Sequence, residues 1–231
     1  NYDFYVIMNK YLFPIYAVLL GFIIVKLTRN KPIKNIKILL AFSGAFLMSI
    51  TFFELFPEVF EHLDARRAGL CIMIGVLFQI FLEFFSKGAE HGHVHIHKNS
   101  HVFPWLLFLS LCLHAFLEGF PIHQHNDMVY GIIIHKIPIA ILITSYLFQS
   151  DFKTYQIIAF LTVFGLMTPL GTVISNNVYL RPGLLPHINA VVIGIFLHIS
   201  TTILFESSEG HKFNLNKILA IIAAVAIAYF I

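Results

Sequence analysis

Residues 114–140 read HAFLEGFPIHQHNDMVYGIIIHKIPIA. Most of this stretch is apolar enough to sit in a bilayer, yet it carries His114, Glu118, His135 and Lys136. His114 and Glu118 are four apart, so on a helix they share one face. His135 and Lys136 follow one apolar segment later, with Pro138 close behind. Ionisable groups at membrane depth cost about 2.5–3.5 kcal/mol each on insertion scales and usually face a cavity or an ion path. The stretch predicts a metal site between two transmembrane helices, and the rest of the chain reads as the route to and from it.

Composition agrees. Of 231 residues, 58% are hydrophobic and 12% charged, against roughly a quarter charged in soluble domains. Cys71 and Cys112 both lie in apolar runs and read as small core residues, not a disulfide or a cysteine zinc site. The first apolar run is long and ends in a basic loop, which argues against a cleavable leader. The net charge of +3 sits in short loops and forms no basic domain, which argues against nucleic acid as a partner.

A span needs about 20 apolar residues. Eight segments qualify, giving an all-α polytopic membrane protein with one transmembrane domain. They cover about 11–25, 36–56, 68–85, 102–121, 128–148, 155–175, 186–205 and 215–231. The loops after spans 1, 3, 5 and 7 hold ten of the fifteen Lys and Arg residues. The positive-inside rule makes those loops cytoplasmic and puts both termini outside.

The remaining polar groups map onto this frame. Span 2 ends in Glu54-Leu55-Phe56-Pro57-Glu58, followed by Glu61, His62 and Asp64. This is either an ordinary solvated loop or an outer mouth that concentrates cations, with Glu54 deepest. The cytoplasmic loop 87–101 carries His91, His93, His95, His97 and His101, a flexible tract able to chelate metal reversibly. Span 6 holds Met167-Thr168-Pro169-Leu170-Gly171-Thr172, where small and hydroxylated residues permit close helix approach. Span 7 holds His198, Ser200, Thr201 and Thr202; His198 and Ser200 either line the path or serve packing and local backbone bonds.

Imidazole and carboxylate together bind divalent ions and can release them. His114 and Glu118 supply one of each, and His135 a third ligand. Pro138 frees the Ile134 carbonyl beside them. Lys136 either snorkels toward an interface or places its ammonium where a second metal would sit and pairs with Glu118. The second reading is favoured, and Lys136→Ala is then expected to perturb transport without abolishing metal binding.

At these residues the chain resembles the ZIP family of divalent-metal transporters, the zinc-regulated and iron-regulated transporter-like proteins. His114-Ala115-Phe116-Leu117-Glu118-Gly119 resembles that family's span-4 signature, and His135-Lys136-Ile137-Pro138 its span-5 signature. Thr168-Pro169-Leu170-Gly171 and Leu55-Phe56-Pro57-Glu58 are similar to its span-6 and span-2 motifs. The resemblance implies uptake of Zn²⁺, or of Cd²⁺, Fe²⁺, Mn²⁺, Co²⁺ or Ni²⁺, into the cytoplasm. It also implies a single-metal site at His114, Glu118 and His135, alternating access by movement of one helix bundle against another, and in many members a homodimer. Ala115, Lys136 and Ile139 depart from members that hold two adjacent metals. The short loops point to a bacterial cytoplasmic membrane. The competing reading is an intramembrane zinc-dependent hydrolase, but the spans offer no carboxylate to spare as acid or base except Glu54.

Overall fold

A computed structural model describes residues 2–28, 35–86, 104–123, 128–150, 152–177, 183–206 and 215–231. The described elements are helical: α1 (Tyr2–Leu27), α2 (Ile36–Ile50), a π-helical turn (Thr51–Leu55), α3 (Phe56–His62), α4 (Ala65–Ser86) and α5 (Trp105–Glu118) come first. A 3₁₀ turn (Pro121–His123), α6 (Met128–Gln149), α7 (Thr154–Asn177), α8 (Leu184–Glu206) and α9 (Leu215–Tyr229) follow. The long Leu, Ile and Phe runs leave the backbone no alternative in lipid but to bond within itself.

Among the described residues, five helices are long and apolar enough to cross a membrane: Ile36–His62, Ala65–Phe85, Met128–Gln149, Thr154–Asn176 and Leu184–Phe205. The other three expected spans appear as shorter apolar helices, Tyr11–Leu27, Trp105–Glu118 and Leu215–Tyr229. For α5 the reason is local. Gly119 and Pro121 end it at Glu118, so its 14 residues rise about 21 Å, short of the ~30 Å hydrocarbon core. The protein is nonetheless an integral membrane protein. Its α4, for example, turns Leu70, Ile74, Leu77, Phe81 and Phe84 outward as a lipid-compatible face.

The second span differs from expectation. The helix does not stop at Phe56 but runs on through Pro57 to His62. Proline lacks an N–H and its ring clashes with the preceding turn. Here the Phe56 N–H reaches back five residues to the Thr51 carbonyl, and this widened turn absorbs the proline. Glu54, Glu58 and His62 therefore stand at i, i+4 and i+8 on one helical ladder, not in a loop. Asp64 ends the cluster as the N-cap of α4, accepting bonds from Arg66 N–H at 3.1 Å and Arg67 N–H at 3.0 Å.

The helices pair most extensively as α4 with α8, α1 with α6, α2 with α9 and α5 with α7. Three of these pairs touch at glycine. A Cβ on Gly75 would fall on the Val191 carbonyl oxygen, and one on Gly194 on that of Ile72. In the same way Gly119 and Gly171 bring α7 onto the C-terminal turn of α5, and a Cβ on Gly21 would lie 2.6 Å from that of Ala140 in α6. Small residues of this kind substitute for the hydrophobic drive that lipid does not supply. The Gly119–Gly171 contact positions the site.

Candidate metal centre

Two helices bring the three candidate ligands together and a third holds them. On α5, the four-residue spacing stacks His114 over Glu118, with His114 Nε2 2.7 Å from Glu118 Oε1. On α6, His135 faces the same point, its ring centroid 6.1 Å from that of His114 at an interplanar angle of 79°. His114, Glu118 and His135 are each 2–3% exposed. One ligand atom from each lies within 4.8 Å of the others, and this is the group of its kind found among the described residues. Two ligand atoms on one tetrahedral zinc lie about 3.3 Å apart, so a modest contraction closes three atoms on an ion.

Lys136 points inward, not toward an interface. Only 1% exposed, its Nζ donates to Glu118 Oε2 at 2.6 Å and to Thr168 Oγ1 at 2.8 Å. The Phe164 ring, one turn before Thr168 on α7, has its centroid 4.7 Å from the same nitrogen. The Thr168 hydroxyl in turn donates to the Ala115 carbonyl at 2.8 Å, across from α7 to α5. The two carboxylate oxygens of Glu118 are thereby divided, one turned to His114 and the other to the ammonium.

Thr168 was legible in the sequence only as a small polar residue allowing close approach; its bond to Lys136 was not. It belongs to a hydroxyl ladder on α7. Thr172 donates to the Gly119 carbonyl at 3.0 Å and Ser175 to that of Phe120 at 3.1 Å. The i, i+4, i+7 spacing of 168, 172 and 175 was the available signal. The ladder satisfies carbonyls that the end of α5 leaves without helical partners.

The other expected pathway residues are placed separately. Glu58 accepts from Asn189 Nδ2 of α8 at 3.2–3.3 Å, and Asn189 is fully buried, a partner that sequence reasoning missed. Glu54 is half-buried. His62 is exposed, with Nδ1 2.9 Å from the Glu58 carbonyl oxygen. His198 does not join the cluster; its Nε2 lies 2.5 Å from Glu83 Oε2 on α4. Ser200 is fully buried and its hydroxyl has no protein hydrogen-bond partner among the described residues, and the same holds for Thr144 on α6. His91, His93, His95, His97 and His101 lie outside the described residues.

A family model described as "ZIP Zinc transporter" matches residues 86–231, which include every residue of this centre. The chain belongs to the ZIP zinc transporter family. Among curated ZIP proteins it is similar to the Zinc transporter ZIP1 of Danio rerio, 34% identical over 89 residues, covering 36% of this chain and 30% of that protein. It is also similar to the Zinc transporter ZIP1 of Takifugu rubripes, 30% identical over 135 residues, covering 54% and 44%. The chain spans less than half the length of these ZIP relatives. The family and the buried His, Glu, His set together fit a transporter and not an enzyme. Among the described residues the one carboxylate in the cluster is already held from both sides, by His114 and by Lys136.

Proposed function

We propose that this chain carries a divalent metal ion, zinc before others, into the cytoplasm by alternating access through a mid-membrane site at His114, Glu118 and His135. The observation that carries the reading is the buried convergence of two imidazoles and one carboxylate from α5 and α6, with a lysine ammonium on the far carboxylate oxygen. Two imidazoles and a carboxylate suit Zn²⁺ best, and Cd²⁺, Fe²⁺, Mn²⁺, Co²⁺ and Ni²⁺ are accepted by the same donors. The Lys136 charge takes the second-metal place and keeps the site to one ion.

Alternating access is supported by where the helices weld. The close glycine contacts join α1 to α6, α5 to α7, and α4 to α8. Between the set α1, α5, α6, α7 and the set α2, α4, α8, α9, Gly131 of α6 meets Ile50 and Leu47 of α2 at ordinary distances of 3.5–3.6 Å. A sliding surface needs such aliphatic contact without backbone interlock. Among the described residues, the buried hydroxyls of Thr144 on α6 and Ser200 on α8 have no protein hydrogen-bond partner, which suits hydrated ion passage. Glu54, Glu58 and His62 form the outer ladder, and the 87–101 histidines serve as a chelating tract on the cytoplasmic side. His198 is a pathway residue in this reading only through its pair with Glu83.

The eight-span arrangement with outward termini, a single domain over 1–231 and a homodimer belong to the same proposal. So does a bacterial cytoplasmic membrane, which rests on short connecting segments alone; both named relatives are from fish. The test is Zn²⁺ uptake into proteoliposomes by wild type and His114→Ala, with Cd²⁺ and Mn²⁺ as competitors. Uptake by the wild type and its loss in the variant are expected. A folded wild type that moves no metal under any gradient refutes the reading.

A further inference from the structure

The surroundings of the Lys136 nitrogen are a built cation seat drawn from three helices. Glu118 Oε2 of α5 accepts at 2.6 Å, Thr168 Oγ1 of α7 accepts at 2.8 Å, and the Phe164 ring of α7 covers the nitrogen at 4.7 Å. The Thr168 hydroxyl has its nearer acceptor in the Ala115 carbonyl at 2.8 Å and a longer one in Glu118 Oε2 at 3.3 Å; with its proton on either oxygen, a lone pair is left for the cation. The seat offers two oxygens and an aromatic face. That is too few donors for a hard divalent ion, which takes six or more oxygens, whereas an aromatic face suits ammonium. The seat shares Glu118 with the metal site, so whatever fills it feels the metal directly.

Resting on the metal-site reading above, we propose that Thr168 and Phe164 are positioning residues. With Glu118 Oε2 they form an ammonium seat, holding the Lys136 charge beside the transported ion and weakening its binding enough for release. A like charge at this distance repels the ion, and it also occupies half of the carboxylate that would otherwise serve the metal alone. Lys136 is thus a fixed tethered competitor, and Thr168 decides where that competitor stands.

The sign of the effect separates this role from a structural one. Loss of a merely structural lysine loosens the site and weakens metal binding. Loss of a competitor strengthens it. Zn²⁺ affinity is measured by equilibrium titration of the purified protein in detergent, where no gradient complicates the result. Lys136→Ala is expected to bind Zn²⁺ roughly tenfold or more tightly, as expected for removal of one charge-assisted competitor. Methylammonium chloride then refills the seat and returns the affinity toward wild type. Sodium chloride at equal ionic strength does not, and neither does tetramethylammonium, which has no N–H to donate. Adding Thr168→Val to Lys136→Ala abolishes the methylammonium effect, while adding Thr168→Ser keeps it. Lys136→Met, which fills the volume without the charge, serves if the alanine variant does not fold. Weaker zinc binding in both Lys136 variants overturns the proposal, and so does a methylammonium effect indifferent to Thr168→Val. Wild type that binds no zinc overturns the metal-site reading itself.

Discussion

Glu118→Gln keeps the shape of the side chain and removes its charge, which makes it the sharpest probe of the buried centre. In the native protein Oε1 lies 2.7 Å from His114 and Oε2 2.6 Å from Lys136. The variant leaves an ammonium that is 1% exposed with only the Thr168 hydroxyl and the Phe164 ring. Removing one partner of a buried ion pair costs about 3–5 kcal/mol. The glutamine carbonyl recovers about 1 kcal/mol as a neutral acceptor, while the Phe164 contact is present in both proteins and cancels. The expected loss is therefore roughly 2–4 kcal/mol. Adding Lys136→Met removes the stranded charge and fills its volume with a flexible apolar chain, so the double variant regains most of that stability. The assay is unfolding in mixed micelles for wild type, both single variants and the double, combined as a cycle, with zinc titration alongside. Both variants carrying Glu118→Gln lose high-affinity zinc binding, whatever their stability. Glu118→Gln as stable as wild type, or a double variant no more stable than Glu118→Gln, refutes the assignment of a buried, mutually dependent charge pair.

Two further outcomes follow from the packing. Gly119→Ala places a methyl group on the Thr168 carbonyl oxygen; forcing α5 from α7 costs about 1–3 kcal/mol and lowers zinc affinity through displacement of Glu118, as titration of the folded variant will register. A normal affinity in that variant would mean that the α5–α7 crossing does not set the ligands. His198→Ala breaks the bond to Glu83 and is expected to lower thermal stability in detergent. It should leave zinc affinity within about threefold of wild type, a change under 1 kcal/mol; a large loss of affinity would put His198 at the metal.

The convergence of His114, Glu118 and His135 was legible because its information is local. A histidine and a glutamate four apart on one apolar helix share a face whatever surrounds them, and a second histidine in the next apolar run faces a neighbour by adjacency. The helical character of the chain was legible for the same reason, since apolar runs in lipid have to satisfy their own backbone. Where the sequence misled, a neighbour or a backbone adjustment intervened. Pro57 reads as a helix end, yet the π-helical turn at Thr51–Leu55 carries the helix past it to His62. Glu54, Glu58, Glu61, His62 and Asp64 read as either a solvated loop or a cation-gathering mouth; the local partners lay outside that reading, for Asp64 caps α4 and Glu58 bonds to Asn189, 131 positions along the chain.

Lys136 shows the division most clearly. Its position next to His135 fixes only that a cation stands near the ligands; a long flexible side chain can turn inward or snorkel outward from the same backbone. The choice is made by groups far away in sequence, Glu118 on α5 and Thr168 and Phe164 on α7. They meet it because Gly119 and Gly171 let two backbones touch. By itself, the sequence determined the helices, the ligand types and their spacing, all set by short-range periodicity. Only the tertiary structure decided which carboxylate oxygen meets which cation, because that depends on the crossing of three helices.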